Sequence, residues 1–448
     1  MFKRKIETEL IEWKKSLMIK KKAFILKWLR QTGKTFIVKK FANENYNNVV
    51  YINFKVDLNM KKTFESDLNV SQIVSNLSIL NSRFKFIPNE TVIIFDEIQE
   101  CSGARASIKP FIEDGRYDII ATGSLLGIKG YNKNYHGGVS VGFEHIVYMT
   151  AMDFEEFLWA KGINEETLNY LYDCFKTKNR INDAVHIAML NYFKEYICVG
   201  GMPAVVDVFL KTNDYKMVRS EQRDILEGYK DDFAKHLNED EEEVIDRTLL
   251  MKINKVYSSI LNQLSKENKK FVYSMLETKG TSKKYDPAIW WLKEYGLIEY
   301  CYNLTRLELP LEGNKIDNIF KLYLTDTGLF VSMLDDNALR DIMFGNMGIY
   351  KGVIYENIVA DALIKNKIPL YYFAKDSGLE IDFIVRYKEE VTLIEVKARN
   401  GNTKSSRTVL NDNIKYPSAN CLIKLCDSNI SLQDNVLTLP YYLTYMIK

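Results

Sequence analysis

Residues 23–42 read AFILKWLRQTGKTFIVKKFA: a short apolar run, a turn that ends in Gly33-Lys34-Thr35, and a segment with helical spacing. This order predicts a strand, a phosphate-binding loop and a helix, the arrangement known as a P-loop or Walker A motif. In such a loop the backbone amides cradle phosphates at the helix N-terminus. Gly33 lies in the turn, the Lys34 amine reaches the terminal phosphates, and the Thr35 hydroxyl binds magnesium. These three residues are therefore candidate nucleotide-binding residues, and Thr35 is also a candidate metal ligand.

The start of this loop departs from the motif. The pattern has a glycine five residues before Gly33, where this chain has Trp28 followed by Leu29. If the loop requires positive φ at that corner, a residue with a side chain is strained there, whereas glycine is not. An indole could also crowd the nucleotide. The residues therefore leave two interpretations open, a working nucleotide site and a degenerate one.

A second motif strengthens the nucleotide interpretation. Residues 91–100 read TVIIFDEIQE, an apolar strand that ends in Asp96-Glu97. This pattern is typical of a Walker B strand, in which the aspartate holds magnesium through water and the glutamate polarises the attacking water. A solvated strand terminus is the alternative. Because both halves of the site occur together, the sequence predicts ATP with Mg²⁺ as cofactors, Thr35 and Asp96 as metal ligands, and Glu97 as a catalytic residue.

The next predicted strand ends in Ala121-Thr122-Gly123-Ser124. This position places a hydroxyl where ATPases of this kind sense the γ-phosphate. Thr122 and Ser124 are therefore candidate nucleotide contacts, and ordinary turn residues are the alternative interpretation.

Short apolar runs alternate with helical patterns through the first 150 residues. Such alternation predicts βαβ units and a parallel sheet with helices on both faces. From about residue 153 to residue 264 the apolar spacing becomes helical. Residues 266–334 then read as helix, turn, helix and two strands, with the first helix over FVYSMLETKG (271–280), which is one way to build a winged helix. The predicted strands of the first region are Ala23–Leu26, Val49–Phe54, Val92–Phe95, Asp118–Ala121 and His145–Met149.

Residues suited to metal chemistry concentrate again after Tyr350. Glu356 lies on a predicted helix, Asp382 on the strand EIDFIV, and Glu395 and Lys397 on the following strand. Residues two apart on a strand point to the same face, so Glu395 and Lys397 should both face Asp382. Two carboxylates can hold magnesium, which lowers the pKa of bound water, while a lysine orients the nucleophile. The pattern predicts Asp382 and Glu395 as metal ligands, and it predicts Asp382, Glu395, Lys397 and Glu356 as catalytic residues.

A solvated Glu-x-Lys pair on an exposed strand is the alternative for this cluster. Both acids adjoin apolar residues that should be buried, however, and a buried charge needs a partner or a metal. The constellation resembles the core of PD-(D/E)XK nucleases, in which Glu356 would complete the metal shell.

Lysines surround the predicted helix that contains Trp290 and Trp291. This arrangement fits a recognition helix with phosphate-contacting flanks, and it also fits a solvated surface or a winged helix that contacts protein. Further along, Arg399, Lys404 and Arg407 in a Gly/Asn/Ser-rich loop could follow a phosphate backbone. DNA is therefore a predicted partner. The lysines are Lys266, Lys269, Lys270, Lys279, Lys283 and Lys284.

Composition excludes several classes of protein. The chain has 448 residues, 46% hydrophobic and 27% charged, which excludes disorder and small disulfide scaffolds, and its net charge of +2 neither supports nor forbids DNA. The cysteines and histidines show no zinc-ligand spacing. The N-terminus has charges throughout and no apolar core of a signal peptide, so we expect a cytoplasmic chain without a membrane partner.

These motifs together resemble the prokaryotic AAA-type ATPases that carry a C-terminal restriction-endonuclease-like domain of poorly characterised function. The resemblance covers nearly the whole chain, and family members usually have a glycine at the position of Trp28. It implies an α/β multidomain protein with a P-loop ATPase domain (1–152), a helical lid (153–264), a winged helix (265–347) and a nuclease-like domain (348–448). The matching segments are RQTGKT, VVYINF, IIFDEIQE, IIATGSLLG, DFEEFLWA, GGMPAVV, AIWWLKEYGLI, FKLYLTDTGL, IYENIVADALI, EIDFIV and LIEVKA.

The sequence therefore predicts an ATPase whose nucleotide controls a DNA-engaging C-terminal half that hydrolyses a phosphodiester with a metal ion. A homo-oligomer is expected by analogy with other AAA-type proteins. The alternative is a nucleotide-responsive binding or assembly protein in which the Walker A and nuclease sites are both degenerate. An accessory role in DNA defence or in mobile elements also fits the resemblance, and no residue decides it.

Overall fold

The computed structural model describes residues 2–65, 68–123, 142–238, 247–266, 269–335, 337–346, 348–397 and 403–448. They form two compact units, residues 3–150 and residues 151–448. Within the described residues, no helix combines the length and the apolar character needed to cross a bilayer.

The first unit is built on a parallel sheet of five strands in the order β2-β3-β4-β1-β5. Each strand lies within about a residue of its predicted position. The three central strands bury their apolar residues between two layers of helix, whereas the edge strands β2 and β5 are only partly buried. The predicted parallel α/β architecture is therefore confirmed for this unit. The strands are β1 (Ala23–Lys27), β2 (Asn48–Asn53), β3 (Thr91–Asp96), β4 (Asp118–Thr122) and β5 (Glu144–Tyr148).

Alternate residues of the three central strands supply two separate cores. On β1, Ala23 and Ile25 face one core, and Phe24 and Leu26 face the other. This period of two is what a strand covered on both faces requires. The helices of the unit are α1 (Ile6–Ser16), α2 (Lys34–Asn45), α3 (Leu58–Lys61), α4 (Val70–Leu80) and α5 (Ser102–Asp114). Helices α4 and α5 cover the first face, and α1 and α2 cover the second.

The second unit begins with a helical region that follows the predicted change of period. Gly200 ends the helix Asp183–Val199 with φ 75°, and Pro203 starts the next helix at a position that suits proline. The helices are α6 (Phe154–Ala160), α7 (Glu165–Thr177), α8 (Asp183–Val199), α9 (Pro203–Thr212), α10 (Tyr215–Asn238), α11 (Arg247–Leu264) and α12 (Ser282–Tyr295).

A mixed sheet follows, with eight strands in the order β12-β13-β11-β10-β9-β8-β6-β7. The predicted two strands after α12 are present, and β6 pairs in parallel with β8 of the predicted nuclease-like region. The strands are β6 (Ile298–Leu304), β7 (Lys315–Leu324), β8 (Leu370–Ala374), β9 (Glu380–Tyr387), β10 (Glu390–Val396), β11 (Ala419–Cys426), β12 (Ser431–Gln433) and β13 (Val436–Pro440). The accompanying helices are α13 (Thr327–Ser332), α14 (Ala338–Phe344), α15 (Lys351–Lys365) and α16 (Lys404–Asn411).

Two local predictions are wrong. The helix expected over residues 271–280 is a single 3-10 turn, Tyr273–Met275, because the Gln263 side chain bonds both backbone groups of Val272, at 2.8 and 3.1 Å. Of the residues expected in a basic loop, Lys404 and Arg407 lie on α16, and Arg399 lies outside the described residues. The winged-helix and nuclease-like assignments, and the division into four domains, remain predictions.

Two of the quoted sequence segments meet at one buried point of the second unit. The Asp326 carboxylate accepts the Gly201 amide at 2.7 Å and caps α13 through the Leu329 amide at 2.9 Å. A Cβ at Gly200 would lie 2.4 Å from the same carboxylate, and a Cβ at Gly328 would lie 2.5 Å from Gly200. Glycine is thus required where GGMP and TDTG cross.

Candidate functional site

The first candidate site is the turn between β1 and α2. Its backbone takes positive φ at Trp28 (94°), Gln31 (64°) and Gly33 (90°). Gly33 caps α2, so the turn presents the unpaired amides of a helix N-terminus. A tryptophan in a left-handed conformation strains the backbone of the loop by on the order of 1–2 kcal/mol. The Trp28 indole lies edge-on to Tyr148 of β5, with 5.4 Å between ring centroids.

Lys34 is a buried cation held by its own loop. Its amine donates to the carbonyls of Trp28 at 2.9 Å and Leu29 at 2.6 Å. Burial lowers the pKa of Lys34 to about 8, although nearby Glu97 acts in the opposite direction. A desolvated amine of this kind gains free energy from an anion, and phosphate oxygens are the anions that this loop geometry suits.

Asp96 ends β3 and is 2% exposed. The Thr35 hydroxyl lies 3.1 Å from both of its carboxylate oxygens, and the Thr122 hydroxyl also donates to it. The structure therefore brings together the predicted residues Thr35, Asp96 and Thr122. A hydroxyl and a carboxylate in contact are the hard oxygen donors that magnesium prefers, so the residues present fit the ion that the motif implies.

Sequence reasoning missed two donors to the same carboxylate. The Tyr51 hydroxyl donates to Asp96 at 2.6 Å, and the Asn53 amide donates at 3.2 Å. Both lie on β2, whose register pairs Asn53 with Asp96. Burial, followed by the hydrogen bond to Asp96, raises the pKa of Tyr51, so the phenol stays protonated and donates. The sequence did contain a sign of these two donors, because polar residues interrupt the apolar run at the carboxyl end of VVYINF.

Glu97 has φ 53°, and its carboxylate accepts the Gln99 amide. It is half-buried and close enough to affect the pKa of Lys34. Its role towards water remains a prediction. Ser124 lies outside the described residues.

The second candidate site lies on β9 and β10 of the second unit. The register pairs Phe383 with Ile394, so the next pair along is Asp382 and Glu395, on one face. The Lys397 amine lies 2.5 Å from Glu395 and 3.8 Å from Asp382. The Val396 amide donates to Asp382 at 2.8 Å. The structure thus places these three predicted residues together.

Burial and the neighbouring charges shift the pKa values of Asp382 and Lys397. Burial raises the pKa of Asp382, with Lys397 opposing and Glu395 adding to the rise. Burial also acts to lower the pKa of Lys397, but Asp382 and Glu395 outweigh it and the net shift is upward. Lys397 therefore stays charged and compensates the carboxylates. The Glu395 carboxylate also accepts the hydroxyl of Ser406 on α16, a partner that the sequence did not reveal.

Glu356 lies on α15, is 4% exposed, and is paired with a lysine of its own. Its carboxylate accepts the Lys269 amine and, at 3.1 Å, the Tyr323 hydroxyl. Lys269 was expected on a DNA-contacting flank and instead contacts this acid. Among the other lysines of that predicted flank, Lys284 pairs with Glu277.

Lys321 of β7 is a further buried cation near these acids. It is 1% exposed and lies 2.7 Å from Glu380. Burial acts to lower its pKa, but Glu356, Glu380 and Asp382 outweigh it and raise the pKa overall. A lysine inside the apolar strand IFKLYL was the signal that sequence reasoning did not use. Over the ranges given above, no three or more His, Cys, Asp or Glu side chains are grouped to hold a metal ion.

Comparison with known families agrees with the first site. Residues 20–158 match the model of an AAA domain. Residues 190–340 and 351–443 match two models described as domains of unknown function, DUF8612 and DUF4143. Together with the strand, loop and helix around Lys34, the first match identifies the N-terminal unit as an AAA-type P-loop ATPase domain. No curated protein matches the sequence.

Solved structures with similarity include a Walker-type ATPase, an ORC2 protein and a RuvB motor. The Walker-type ATPase PABY2304 of Pyrococcus abyssi is 16% identical, with a TM-score of 0.40, over 74% of this chain and 96% of that one. The Aeropyrum pernix ORC2 protein in its ADP form is 11% identical, with a TM-score of 0.30, over 76% and 93%. The Thermotoga maritima RuvB branch migration motor is 14% identical, with a TM-score of 0.28, over 66% and 89%. These TM-scores are low, so the assignment rests on the family match and the loop geometry.

Proposed function

We propose that the N-terminal unit binds ATP with Mg²⁺ at the loop of Gly33, Lys34 and Thr35 and hydrolyses it. The observation that carries this proposal is the contact between the Thr35 hydroxyl and the Asp96 carboxylate beside a buried lysine amine. Magnesium, when bound with the nucleotide, neutralises charge on the phosphates.

Each residue of this nucleotide site then has its own role. The Lys34 amine leaves the carbonyls of Trp28 and Leu29 and donates to phosphate oxygens. Thr35 and Asp96 hold the metal, and the Thr122 hydroxyl keeps Asp96 oriented. Glu97 orients the attacking water as an acceptor.

Titration calorimetry tests this function. The parent should bind ATP in the presence of magnesium, and Lys34→Met should weaken binding at least about tenfold, which is ~1.4 kcal/mol. Lys15→Met, an exposed lysine on α1, is the matched control and should bind as the parent does. Equal affinity in parent and Lys34→Met contradicts the proposal.

We further propose that the C-terminal half engages DNA and hydrolyses a phosphodiester with a metal ion. Its support is the buried pair Asp382 and Glu395 with Lys397 in contact with both. In this proposal Asp382 and Glu395 would hold the metal ion, which would lower the pKa of bound water. Lys397 would orient the nucleophile, and Glu356 would be a further ligand in place of its contact with Lys269.

A magnesium-dependent cleavage assay on DNA tests the second function. Asp382→Ala should abolish cleavage, whereas Asp376→Ala, an exposed acid on the preceding turn, should not change it. Cleavage by Asp382→Ala at the parental rate would remove the proposal. Retention on DNA should fall as salt is raised, because phosphate contacts release counterions.

The alternative function is a nucleotide-responsive binding or assembly protein with two degenerate sites. The observation that favours it is Trp28, which occupies a left-handed position that suits glycine. ATP binding by Trp28→Gly but not by the parent would support this alternative. Comparable binding by both chains would favour the ATPase.

A further inference from the structure

Arg4 is a buried cation outside every motif discussed above. It is 7% exposed and lies just before α1. Its guanidinium donates to the carbonyl of Thr32 at 3.0 Å and to the carbonyl of Thr150 at 2.8 Å. One side chain therefore holds both the phosphate loop and the last residue of the first unit.

The position of Arg4 is fixed by α1. Ile6, Leu10 and Trp13 of this helix pack into the core that also contains Phe41 of α2. The Arg4 amide donates to Glu7 at 3.1 Å, and Lys40 of α2 donates to the other oxygen of Glu7 at 2.5 Å. The guanidinium is thus held relative to the helix that follows the phosphate loop.

The Thr32 carbonyl has a direct geometric relation to the phosphate site. Thr32 and Gly33 share a planar trans peptide, so the Thr32 carbonyl and the Gly33 amide point in opposite directions. A hydrogen bond that fixes the carbonyl therefore also fixes the amide. Thr32 is fully buried, and its hydroxyl donates to the Leu29 carbonyl at 2.9 Å. The side chain of Thr32 is therefore held in place as well as its carbonyl.

We propose that Arg4 is a positioning residue of the nucleotide site: by holding the Thr32 carbonyl, it aims the Gly33 amide at the phosphates. This inference rests on the proposed ATP binding and extends it to a residue of the N-terminal segment. Preorganised amides bind phosphate without a cost of reorganisation, so loss of Arg4 weakens nucleotide binding even when the fold persists.

The second contact of Arg4 links the phosphate loop to the end of the first unit. The guanidinium donates to the carbonyl of Thr150, the last residue of that unit, at 2.8 Å. Nucleotide binding that tightens the loop should therefore slow amide exchange at Thr150, through Arg4.

The test compares three variants with the parent by ATP titration and by hydrogen exchange. Arg4→Met should weaken ATP binding about tenfold and remove the ATP-dependent protection of the Thr150 amide. Arg4→Lys retains a charge and should recover part of the affinity. Lys3→Met removes an exposed neighbouring charge and should match the parent.

Leu77→Ala separates positioning from stability. It leaves a cavity under α4, in the core on the other face of the sheet from α1, and lowers the melting temperature without removing the support of Arg4. Positioning by Arg4 predicts near-parental affinity for Leu77→Ala at a temperature where all variants are folded. Equal weakening by Leu77→Ala and Arg4→Met, or parental affinity in Arg4→Met, would overturn the inference. An absence of ATP binding in the parent would overturn the proposed function and this inference with it.

Discussion

Asp96 and Asp382 are both buried carboxylates on strands, but their partners differ in charge. The described hydrogen bonds to Asp96 come from neutral groups, the hydroxyls of Thr35, Thr122 and Tyr51 and the amide of Asn53. In the C-terminal cluster, lysine amines contact the acids directly.

The two sets of partners place different demands on a divalent cation. Neutral donors orient a carboxylate without cancelling its charge, so among the described residues a cation at Asp96 has no ion pair to displace. Where lysines already compensate the acids, a metal ion has to displace an amine or share the carboxylate with it. The first centre is therefore arranged for cation binding as it stands, whereas the second requires a rearrangement.

The largest effect is expected from Lys397→Met. It leaves Asp382 and Glu395 without their amine, and breaking a buried ion pair costs about 3–5 kcal/mol. The lower end of that range applies, because the Lys397 side chain keeps 24% of its surface exposed. Urea unfolding measures the loss, with the exposed Lys388→Met as control. A cost no larger than that of the control would mean that the lysine does not compensate these acids.

Lys269→Met should free Glu356 to act as a ligand. If amines occupy the acids, manganese should then bind the C-terminal cluster about tenfold more tightly, or ~1.4 kcal/mol, than in the parent. Electron paramagnetic resonance titration of manganese measures this, with Lys270→Met as the neighbouring control. Unchanged or weaker binding would contradict the proposed competition between amine and metal.

Two substitutions at Trp28 test for backbone strain at the first centre, because strain decides which of the two variants is more stable. Because Trp28 has φ 94°, Trp28→Gly relieves strain while Trp28→Ala keeps it, and both lose the contact with Tyr148. The glycine variant should be more stable than the alanine variant by about 1 kcal/mol. At an ordinary position the order would be reversed, so a more stable alanine variant would exclude strain at this corner.

The smallest effect expected is a pH dependence at Asp382. Burial raises the folded pKa of Asp382 above the usual value for an aspartate, so its contribution to stability is complete below that usual value and is lost as pH rises through the folded pKa. Over that interval the parent should lose stability relative to Asp382→Asn. Urea midpoints measured across the acid range check the direction, and the opposite slope would mean that Lys397 outweighs burial.

Local patterns predicted much of the first unit. The five strands and the residues Thr35 and Asp96 follow from apolar runs, a loop motif and the rule that parallel strands end at one edge. Tyr51 and Asn53 required knowledge that β2 lies beside β3 in a particular register.

Contacts between distant segments escaped prediction for a different reason. Arg4 lies 28 residues from Thr32 and 146 from Thr150, and Lys269 lies 87 from Glu356. Nothing in the spacing of such residues marks the pairing, because tertiary packing alone brings them together. The predicted basic flank illustrates this, since Lys269 looked solvated and is paired with an acid.

The pairing of β6 with β8 has a practical consequence for anyone who clones the C-terminal part alone. Cys301, Tyr302 and Asn303 lie beside Leu370, Tyr371 and Tyr372 in that ladder. A fragment that starts at residue 348 would present the backbone of β8 as a bare edge, open to pairing with another molecule. Soluble expression should therefore improve when the fragment begins upstream of β6.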